Sequence, residues 1–273
     1  MTIARSVLIT GCSTGIGRAT ALRLVAAGWT VYATARKPET LTELETAGCR
    51  ILALDVTDEA SMQAAVTAVE RPLGALVNNA GYSLSGALET LPMEEVRRQF
   101  ETNVFGLLRL TQLVLPQMRA ARGGRIVNLS SMGGRLTFPG GGAYHATKWA
   151  VEALSDVLRV EVAPFGIDVI VIEPGLIKSE FGETAASGVG DGDGPYAAFN
   201  ESVAKATRGV YEGPAARLGG GPEVVAEAIQ KALERRRAPT RVPVTASARI
   251  MMGLHAVLPD RLWDRAVKGS FDL

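Results

Sequence analysis

The stretch Val7-Leu8-Ile9-Thr10-Gly11-Cys12-Ser13-Thr14-Gly15-Ile16-Gly17 carries a short apolar run straight into three glycines and then into a helix-patterned segment. Glycines let a backbone turn tightly and approach a ligand, and the first turn of a helix offers free N–H groups to a pyrophosphate. The reading is a strand, a phosphate-binding turn and a helix. The spacing G-x-x-x-G-x-G differs from the common G-x-G-x-x-G. Gly11-Cys12-Ser13-Thr14-Gly15 also fits G-x-S-x-G, the nucleophile elbow of serine hydrolases, with Ser13 as nucleophile and His145 or His255 as base. Position counts against that rival. The elbow draws an oxyanion N–H from an earlier strand-to-helix loop, whereas this motif follows the first strand.

Outward from this stretch, apolar runs recur at Val31-Tyr32-Ala33-Thr34, Ile51-Leu52-Ala53-Leu54, Ala75-Leu76-Val77-Asn78, Arg125-Ile126-Val127-Asn128-Leu129 and Val169-Ile170-Val171-Ile172. A weaker one stands at Arg241-Val242-Pro243-Val244. They are continuously apolar rather than alternating, as strands are when helices cover both faces of a parallel sheet. Longer helix-patterned stretches separate them. The expectation is an α/β fold: a single-domain doubly wound parallel sheet, the Rossmann fold, of about seven strands with helices on both faces. Gly28 and Gly48 stand where the first two helices should stop, and Asp58 where a helix over 59–70 should start. Pro116 predicts a kink in the long helical stretch over 92–121.

The chain has 273 residues, with 29 basic and 28 acidic side chains and a net charge of +1. That balance argues against a nucleic-acid binder, which needs a basic excess to release phosphate counterions. Hydrophobic residues make up 47%, enough to bury a large core, and residues 1–273 read as one domain without repeats or linkers. Two cysteines, Cys12 and Cys49, argue against a disulfide scaffold and suit a reducing compartment. No apolar run has the length of a membrane span, and residues 1–10 lack the layout of a signal peptide. A soluble cytoplasmic protein is expected.

The end of the second run bears on a dinucleotide. A site for NAD expects an acidic residue about 20 residues past the glycines, on the ribose 2′-OH, whereas an arginine suits a 2′-phosphate. Here the sequence reads Thr34-Ala35-Arg36-Lys37, with no acid until Glu39. Arg36 therefore favours NADP(H), with NAD(H) still possible.

Tyr144-His145-Ala146-Thr147-Lys148 places Tyr144 and Lys148 four residues apart, on one helix face. A positive charge about 4 Å from a phenol is worth roughly 4 kcal/mol at an effective dielectric of 20. That could lower the phenol's pKa by up to roughly 3, into the range of an acid or base near neutral pH. Asn128-Leu129-Ser130-Ser131 ends the fifth run, Asn78-Asn79-Ala80-Gly81 the fourth, and Glu173-Pro174-Gly175 follows the sixth. All three fall at the carboxyl edge of the expected sheet, where open α/β sheets bind ligands.

On these residues the sequence resembles the short-chain dehydrogenase/reductase family, of the type about 250 residues long. Thr10 to Gly17 is similar to the family's T-G-x-x-x-G-x-G cofactor loop, Asn78 to Gly81 to N-N-A-G, and Tyr144 to Lys148 to Y-x-x-x-K. Ser131, thirteen residues before Tyr144, stands where the family places its catalytic serine, and Asn103 resembles the asparagine of its tetrad. Asp55, in Leu54-Asp55-Val56, resembles the residue that contacts adenine. Pro174-Gly175-Leu176-Ile177-Lys178-Ser179 resembles P-G-x-x-x-T, with Ser179 in place of threonine. The resemblance covers about residues 5 to 180.

It implies an oxidoreductase that moves a hydride between the nicotinamide and a carbonyl or alcohol carbon, and Arg36 makes NADP(H) the expected cofactor. Tyr144 would be the general acid and base, Lys148 would lower its pKa and bind the nicotinamide ribose, Ser131 would hold the reacting oxygen, and Asn103 would keep a water for proton relay. Gly11, Ser13, Thr14, Gly15, Ile16, Gly17, Arg36, Asp55, Val56, Asn79, Ala80, Gly81, Tyr144, Lys148, Pro174, Gly175, Ile177 and Ser179 would hold the cofactor. A homodimer or homotetramer would form through the helices that start near Pro92 and Tyr144. The alternative within this fold is a cofactor-sensing protein without catalysis, although such proteins commonly lose the tyrosine or lysine that this chain keeps.

Other residues read as structural. His145 points about 100° round the helix from Tyr144, His255 lies in the tail, and the two histidines make no metal site. Asp191 and Asp193 lack the further ligands of a calcium loop. Cys12 reads as a small packed residue, and the Arg235-Arg236-Arg237 run as a helix end facing water. Residues 180–221, with the glycine-rich acidic segment 187–195, are expected to form a lid over the substrate. Residues 246–273 are expected to form an apolar-sided helical tail that closes the pocket, makes a subunit contact or touches a membrane. The resemblance implies a small-molecule carbonyl or alcohol as substrate, and an apolar wall would favour a hydrophobic one of steroid, retinoid or aryl ketone type. The opening Thr-Gly-Cys-Ser and Val-Tyr-Ala-Thr-Ala-Arg segments look similar to the hydroxysteroid and retinol branch.

Overall fold

The computed structural model describes residues 3–70, 72–178 and 194–271. Seven strands, β1 (Ser6–Ile9), β2 (Thr30–Ala35), β3 (Arg50–Ala53), β4 (Ala75–Asn78), β5 (Gly124–Leu129), β6 (Ile167–Pro174) and β7 (Arg241–Val244), form one sheet. Its order is β3-β2-β1-β4-β5-β6-β7, and every neighbouring pair is parallel. The weak seventh run is thus a true strand. It lies at the sheet edge, where Pro243 can sit opposite Glu173 without breaking a ladder on its outer side.

Helices cover both faces. They are α1 (Gly15–Ala26), α2 (Thr42–Thr46), α3 (Glu59–Ala68), α4 (Met93–Phe100), α5 (Leu107–Ala120), α6 (Gly142–Val162), α7 (Ala197–Glu212), α8 (Pro222–Glu234), α9 (Ala246–Val257) and α10 (Asp260–Ser270). On β1, Val7 and Ile9 pack with Leu24 of α1 and Val225 and Ile229 of α8. Leu8 points the other way, into Leu110, Val114 and Met118 of α5. Nearly every side chain of the central strands β1, β4, β5 and β6 is buried whichever face it takes, which is why these strands read as apolar runs, whereas the edge strands β3 and β7 are only partly covered.

The helix ends follow their punctuation. Gly28 N donates to Val25 O at 3.0 Å and Trp29 N to Leu24 O at 3.0 Å, closing α1 as a Schellman motif. Gly48 N and Cys49 N do the same for Glu45 O and Leu44 O, each at 2.9 Å. Asp58 caps α3 by accepting from Ala60 N at 2.9 Å and Ser61 N at 3.3 Å.

Two helical stretches differ from expectation. The α-helical geometry between Pro92 and Ala120 breaks not at Pro116, through which α5 runs, but at Glu101–Gly106, a π-helical segment that carries Asn103. Gly106, at its end, lies so close to β3's exit that a Cβ there would stand 2.3 Å from Val56 O. The tail is two helices rather than one, because Pro259 cannot continue α9 and instead becomes the N-cap of α10. Trp263 of α10 is buried and packs on Phe138 with ring centroids 6.2 Å apart. Phe271 stacks on the same ring at 6.2 Å. The described part of the tail therefore covers the loop that follows β5.

Of the expected lid, residues 180–193 and the greater part of the glycine-rich acidic segment, including Asp191 and Asp193, lie outside the described residues. The described remainder contains α7, whose Val203 meets Gly140. Tyr196, the residue before α7, donates its hydroxyl to Glu89 Oε2 at 2.7 Å. Among the described residues no helix is long and apolar enough to cross a membrane.

Candidate functional site

Strand order reverses between β1 and β4, and the loops leaving those two strands open the crevice at which such sheets bind ligands. Gly11 and Gly15 have left-handed φ of 70° and 56°. Gly17 is needed for another reason: a Cβ there would stand 2.2 Å from Gly11 O and 2.5 Å from Asn79 Nδ2. Asn79 Nδ2 donates to Thr10 O at 2.8 Å and to Gly11 O at 2.9 Å. In return, Thr10 Oγ1 accepts from Asn79 N at 3.0 Å and Ala80 N at 2.9 Å. The loop after β4 thereby fixes the glycine turn.

Thr14, the N-cap of α1, makes no side-chain capping bond, and the first turn of α1 holds no acid. Ser13 and Thr14 are exposed on the turn, and Ile16 is half-buried beneath it. Uncapped N–H groups at a helix start, unopposed by a carboxylate, fit the pyrophosphate of a dinucleotide.

Arg36 is exposed immediately beyond β2 and belongs to no ion pair drawn among the described residues. Asp55 and Val56 leave β3. Asp55 Oδ1 accepts from Thr57 N at 2.9 Å and Thr57 Oγ1 at 2.8 Å, its own N–H donates to Ser61 Oγ at 2.9 Å, and Val56 is buried.

Across the crevice, Tyr144 and Lys148 share a face of α6, with Lys148 Nζ 5.7 Å from the centre of the phenol ring. Lys148 is buried, and its Nζ donates to Leu129 O at 2.8 Å. Burial pushes the pKa of its ammonium down to about 8, against the pull of Glu152 one turn further along α6. Asn103 is also buried. Its Oδ1 accepts from Tyr82 N at 3.1 Å, and its Nδ2 donates to Tyr82 O at 2.9 Å and Thr147 Oγ1 at 3.1 Å. The two side chains converge at Gly81, where a Cβ would be 3.0 Å from Asn103 Oδ1 and 3.8 Å from Lys148 Nζ. Ser131 leaves β5, and its Oγ accepts from Gly133 N at 3.0 Å.

Pro174 ends β6. Gly175 is pressed on by the start of α9, where a Cβ would be 2.4 Å from Ser247 Oγ and 2.5 Å from Thr245 Oγ1. Leu176 N donates to Ser247 Oγ at 3.0 Å. Ile177 is buried and bridges to Gly220. Ser179 lies outside the described residues.

His145 is structural. Phe138 N donates to its Nε2 at 3.1 Å, so Nδ1 carries the proton that meets Gly133 O at 3.1 Å. Burial lowers its pKa, and the ring stays a neutral strut under the Ser131 loop. His255 packs edge-on against Trp263 with ring centroids 4.8 Å apart. Both histidines are thus engaged away from Ser13, and the serine-hydrolase arrangement does not form. Cys12 and Cys49 are free and buried, with burial pushing their thiols up to about 12 and about 11.

Some contacts behind the site are not legible in the sequence, even where one partner lies in a motif. Asn78 Nδ2 donates to Thr111 Oγ1 at 3.0 Å and to Asn128 Oδ1 at 2.9 Å, and Asn128 Nδ2 donates to Ser155 Oγ at 2.9 Å. This buried chain ties α5, β4, β5 and α6 together beneath the crevice. Behind Lys148, Glu152 Oε2 accepts from Arg241 Nε at 3.0 Å. Glu173 lies 3.6 Å from Arg241 and 4.0 Å from Arg135. Burial and then Glu152 push the carboxyl of Glu173 up to about 7. For Thr111, Glu152, Ser155 and Arg241 the sequence signal is a polar residue within an otherwise apolar strand or helix face.

The short chain dehydrogenase family model matches residues 5–189. The 3-ketodihydrosphingosine reductase of Bacteroides thetaiotaomicron is 36% identical over 267 residues, covering 96% of each chain. The crystal structure of a short-chain dehydrogenase from Streptomyces avermitilis is 37% identical, covers 98% of this chain and 99% of its own, and superposes with a TM-score of 0.80. The closed form of a serine dehydrogenase complexed with NADP+ is 29% identical, covers 87% of this chain and 93% of its own, and superposes with a TM-score of 0.76. With the glycine turn, the switch point and the Tyr144–Lys148 face on one edge of a parallel seven-stranded sheet, the chain belongs to the short chain dehydrogenase family and is an oxidoreductase acting on CH–OH and C=O groups.

Proposed function

We propose that the protein is an NADP(H)-dependent oxidoreductase of apolar ketones and secondary alcohols, with Tyr144 as general acid and base. The observation that carries the reading is the convergence of Asn103 Oδ1 and Lys148 Nζ on Gly81, with Tyr144 on the same face of α6 as Lys148. When bound, the nicotinamide supplies or receives the hydride at the substrate carbon. Tyr144 gives its phenolic proton to the carbonyl oxygen during reduction and takes it back during oxidation. The Lys148 charge beside the ring favours the phenolate and lowers the pKa of the phenol. Ser131 Oγ donates to the reacting oxygen and orients it. Asn103, by holding Tyr82 at both its N–H and its C=O, keeps the Gly81 segment against Lys148.

The turn from Gly11 to Gly17 would hold the pyrophosphate. Asp55 and Val56 would hold the adenine side, and Asn79 to Gly81, Pro174, Gly175 and Ile177 the nicotinamide side. Arg36 supports NADP(H) over NAD(H), because an exposed guanidinium at the end of β2 with no facing carboxylate suits a dianionic 2′-phosphate. The NADP+ complex of the serine dehydrogenase neighbour agrees with that preference. Leu88 supports an apolar substrate: it is 68% exposed and lies against Gly142, at the start of the helix that carries Tyr144. The ketone named in the Bacteroides relative agrees.

The test is oxidation of NADPH and, separately, NADH against carbonyls that run from small hydroxy-acid precursors to steroids and 3-ketodihydrosphingosine. Arg36→Ala should weaken NADPH by about 10–100-fold, the worth of one or two charge-assisted hydrogen bonds, and leave NADH nearly unchanged. Equal losses for both cofactors would refute the 2′-phosphate role, and turnover confined to small polar carbonyls would refute the apolar substrate.

A further inference from the structure

A second concave site lies at the opposite edge of the sheet. A cavity of about 460 Å³ opens among Arg125, Arg159, Asp168, Arg236 and Arg237, with an apolar wall that includes Ile3 and Ile167. Arg125 is at the start of β5, Ile167 opens β6, and Arg236 and Arg237 lie between the end of α8 and β7. These are the amino ends of the strands, whereas the glycine turn, Ser131 and Gly175 leave their carboxyl ends. The cavity is therefore separate from the catalytic crevice.

Its charge is uneven. Four arginines line it against one carboxylate, Asp168, in a chain whose net charge is only +1. Arg125 is 3% exposed and is fixed in place. Its Nη1 donates to Ala232 O at 3.2 Å and Leu233 O at 2.6 Å, capping the carbonyl end of α8, and its Nε reaches Asp168 Oδ2 at 3.2 Å. Arg159 Nη2 donates to Asp156 Oδ1 at 2.7 Å and its Nε to Val169 O at 3.3 Å. Arg236 and Arg237 are exposed and belong to no ion pair drawn among the described residues. A concave surface with low-dielectric walls focuses such an excess into a field that concentrates anions.

We propose that this cavity binds a small organic polyanion, one that presents phosphate or carboxylate groups to the Arg236 and Arg237 forks and an apolar part to the wall. Guanidinium groups match both acids bidentately, which a lysine cluster does not do. The volume sits within the range of small-molecule sites, about 300–1,000 Å³, and exceeds what a lone inorganic ion would fill. Concavity and size together favour a small molecule over a macromolecular surface.

The test uses pyrophosphate and citrate as probes, titrated calorimetrically into the full chain saturated with NADP+ at about 0.15 M ionic strength, where loose surface attraction is screened. The comparison protein carries Arg236→Glu and Arg237→Glu, both on exposed side chains away from the glycine turn. At least one probe should bind the unaltered protein, and the double substitution should weaken it by at least about tenfold without changing NADP+ affinity. The stronger probe identifies phosphate or carboxylate as the preferred head group. Absence of binding by both probes, or equal affinity in both proteins, would overturn the site.

Discussion

Asn79 Nδ2 donates to the carbonyl oxygens of both Thr10, at 2.8 Å, and Gly11, at 2.9 Å, so one side chain from the β4 loop sets the glycine turn that follows β1. Asn79→Ala would leave two carbonyls without their donor and free the turn to move. Loss of the pair should cost about 1–3 kcal/mol of folding stability. NADPH binding should weaken by about tenfold or more. Urea unfolding and fluorescence titration of NADPH measure the two effects, and an unchanged Kd would show that the turn is held by other means.

Two glycine-to-alanine changes should have opposite consequences. Gly17→Ala drives a methyl to 2.2 Å from Gly11 O, which forces backbone apart and should cost about 1–3 kcal/mol together with NADPH binding. Gly253, inside α9, has nothing within 4 Å of an added Cβ. There alanine should raise stability by about 0.5–1 kcal/mol through backbone entropy and leave cofactor binding alone. Thermal unfolding of both variants with and without NADPH checks the contrast.

The carboxyl of Glu173, pushed up to about 7, ties stability to pH in a definite direction. Between its ordinary value near 4.5 and about 7, the folded chain keeps a proton that the unfolded chain has lost. Stability from this group is therefore full below that window and falls as pH rises through it, by about 1–3 kcal/mol. Glu173→Gln keeps the shape without the charge and should flatten the profile between pH 5 and 8. A variant with the same slope as the original protein would assign the slope to another group.

Glu152 opposes the loss of the Lys148 proton. Glu152→Gln should let Lys148 deprotonate at lower pH and so move the alkaline limb of kcat for ketone reduction down the pH scale. A merely structural role would lower kcat without moving the limb. Near-normal stability in urea must accompany the shift, since the same change frees Arg241 Nε from its 3.0 Å bond.

Much of the architecture could be read from the residues because a doubly covered parallel sheet leaves apolar runs at its central strands, while the half-covered edge Arg241–Val244 gives a weaker signal. Gly28, Gly48 and Asp58 marked their helix ends for local steric and hydrogen-bonding reasons that no distant contact overrides. The shared face of Tyr144 and Lys148 followed from their four-residue spacing, whereas Asn103 entered only through the family resemblance and its approach to Gly81 needed the fold.

What escaped reading depends on partners far apart in the chain. The π-helical turn at Glu101–Gly106 carries no composition signal, while Pro116 offers one and does not stop its helix. Asn78, Asn128, Thr111 and Ser155 look unrelated until the sheet brings them together. Arg236 and Arg237 read as a solvated helix end, and only the fold shows the cavity they share with Arg125.

The central claim is that Tyr144 moves the proton while the rest of the site binds. The direct measurement is steady-state NADPH oxidation with an accepted ketone by the original protein and by Tyr144→Phe, alongside NADPH binding to both. The account predicts a loss of kcat of at least about 10²–10⁴-fold with NADPH affinity within about threefold of the original. Turnover retained by the phenylalanine variant would contradict it.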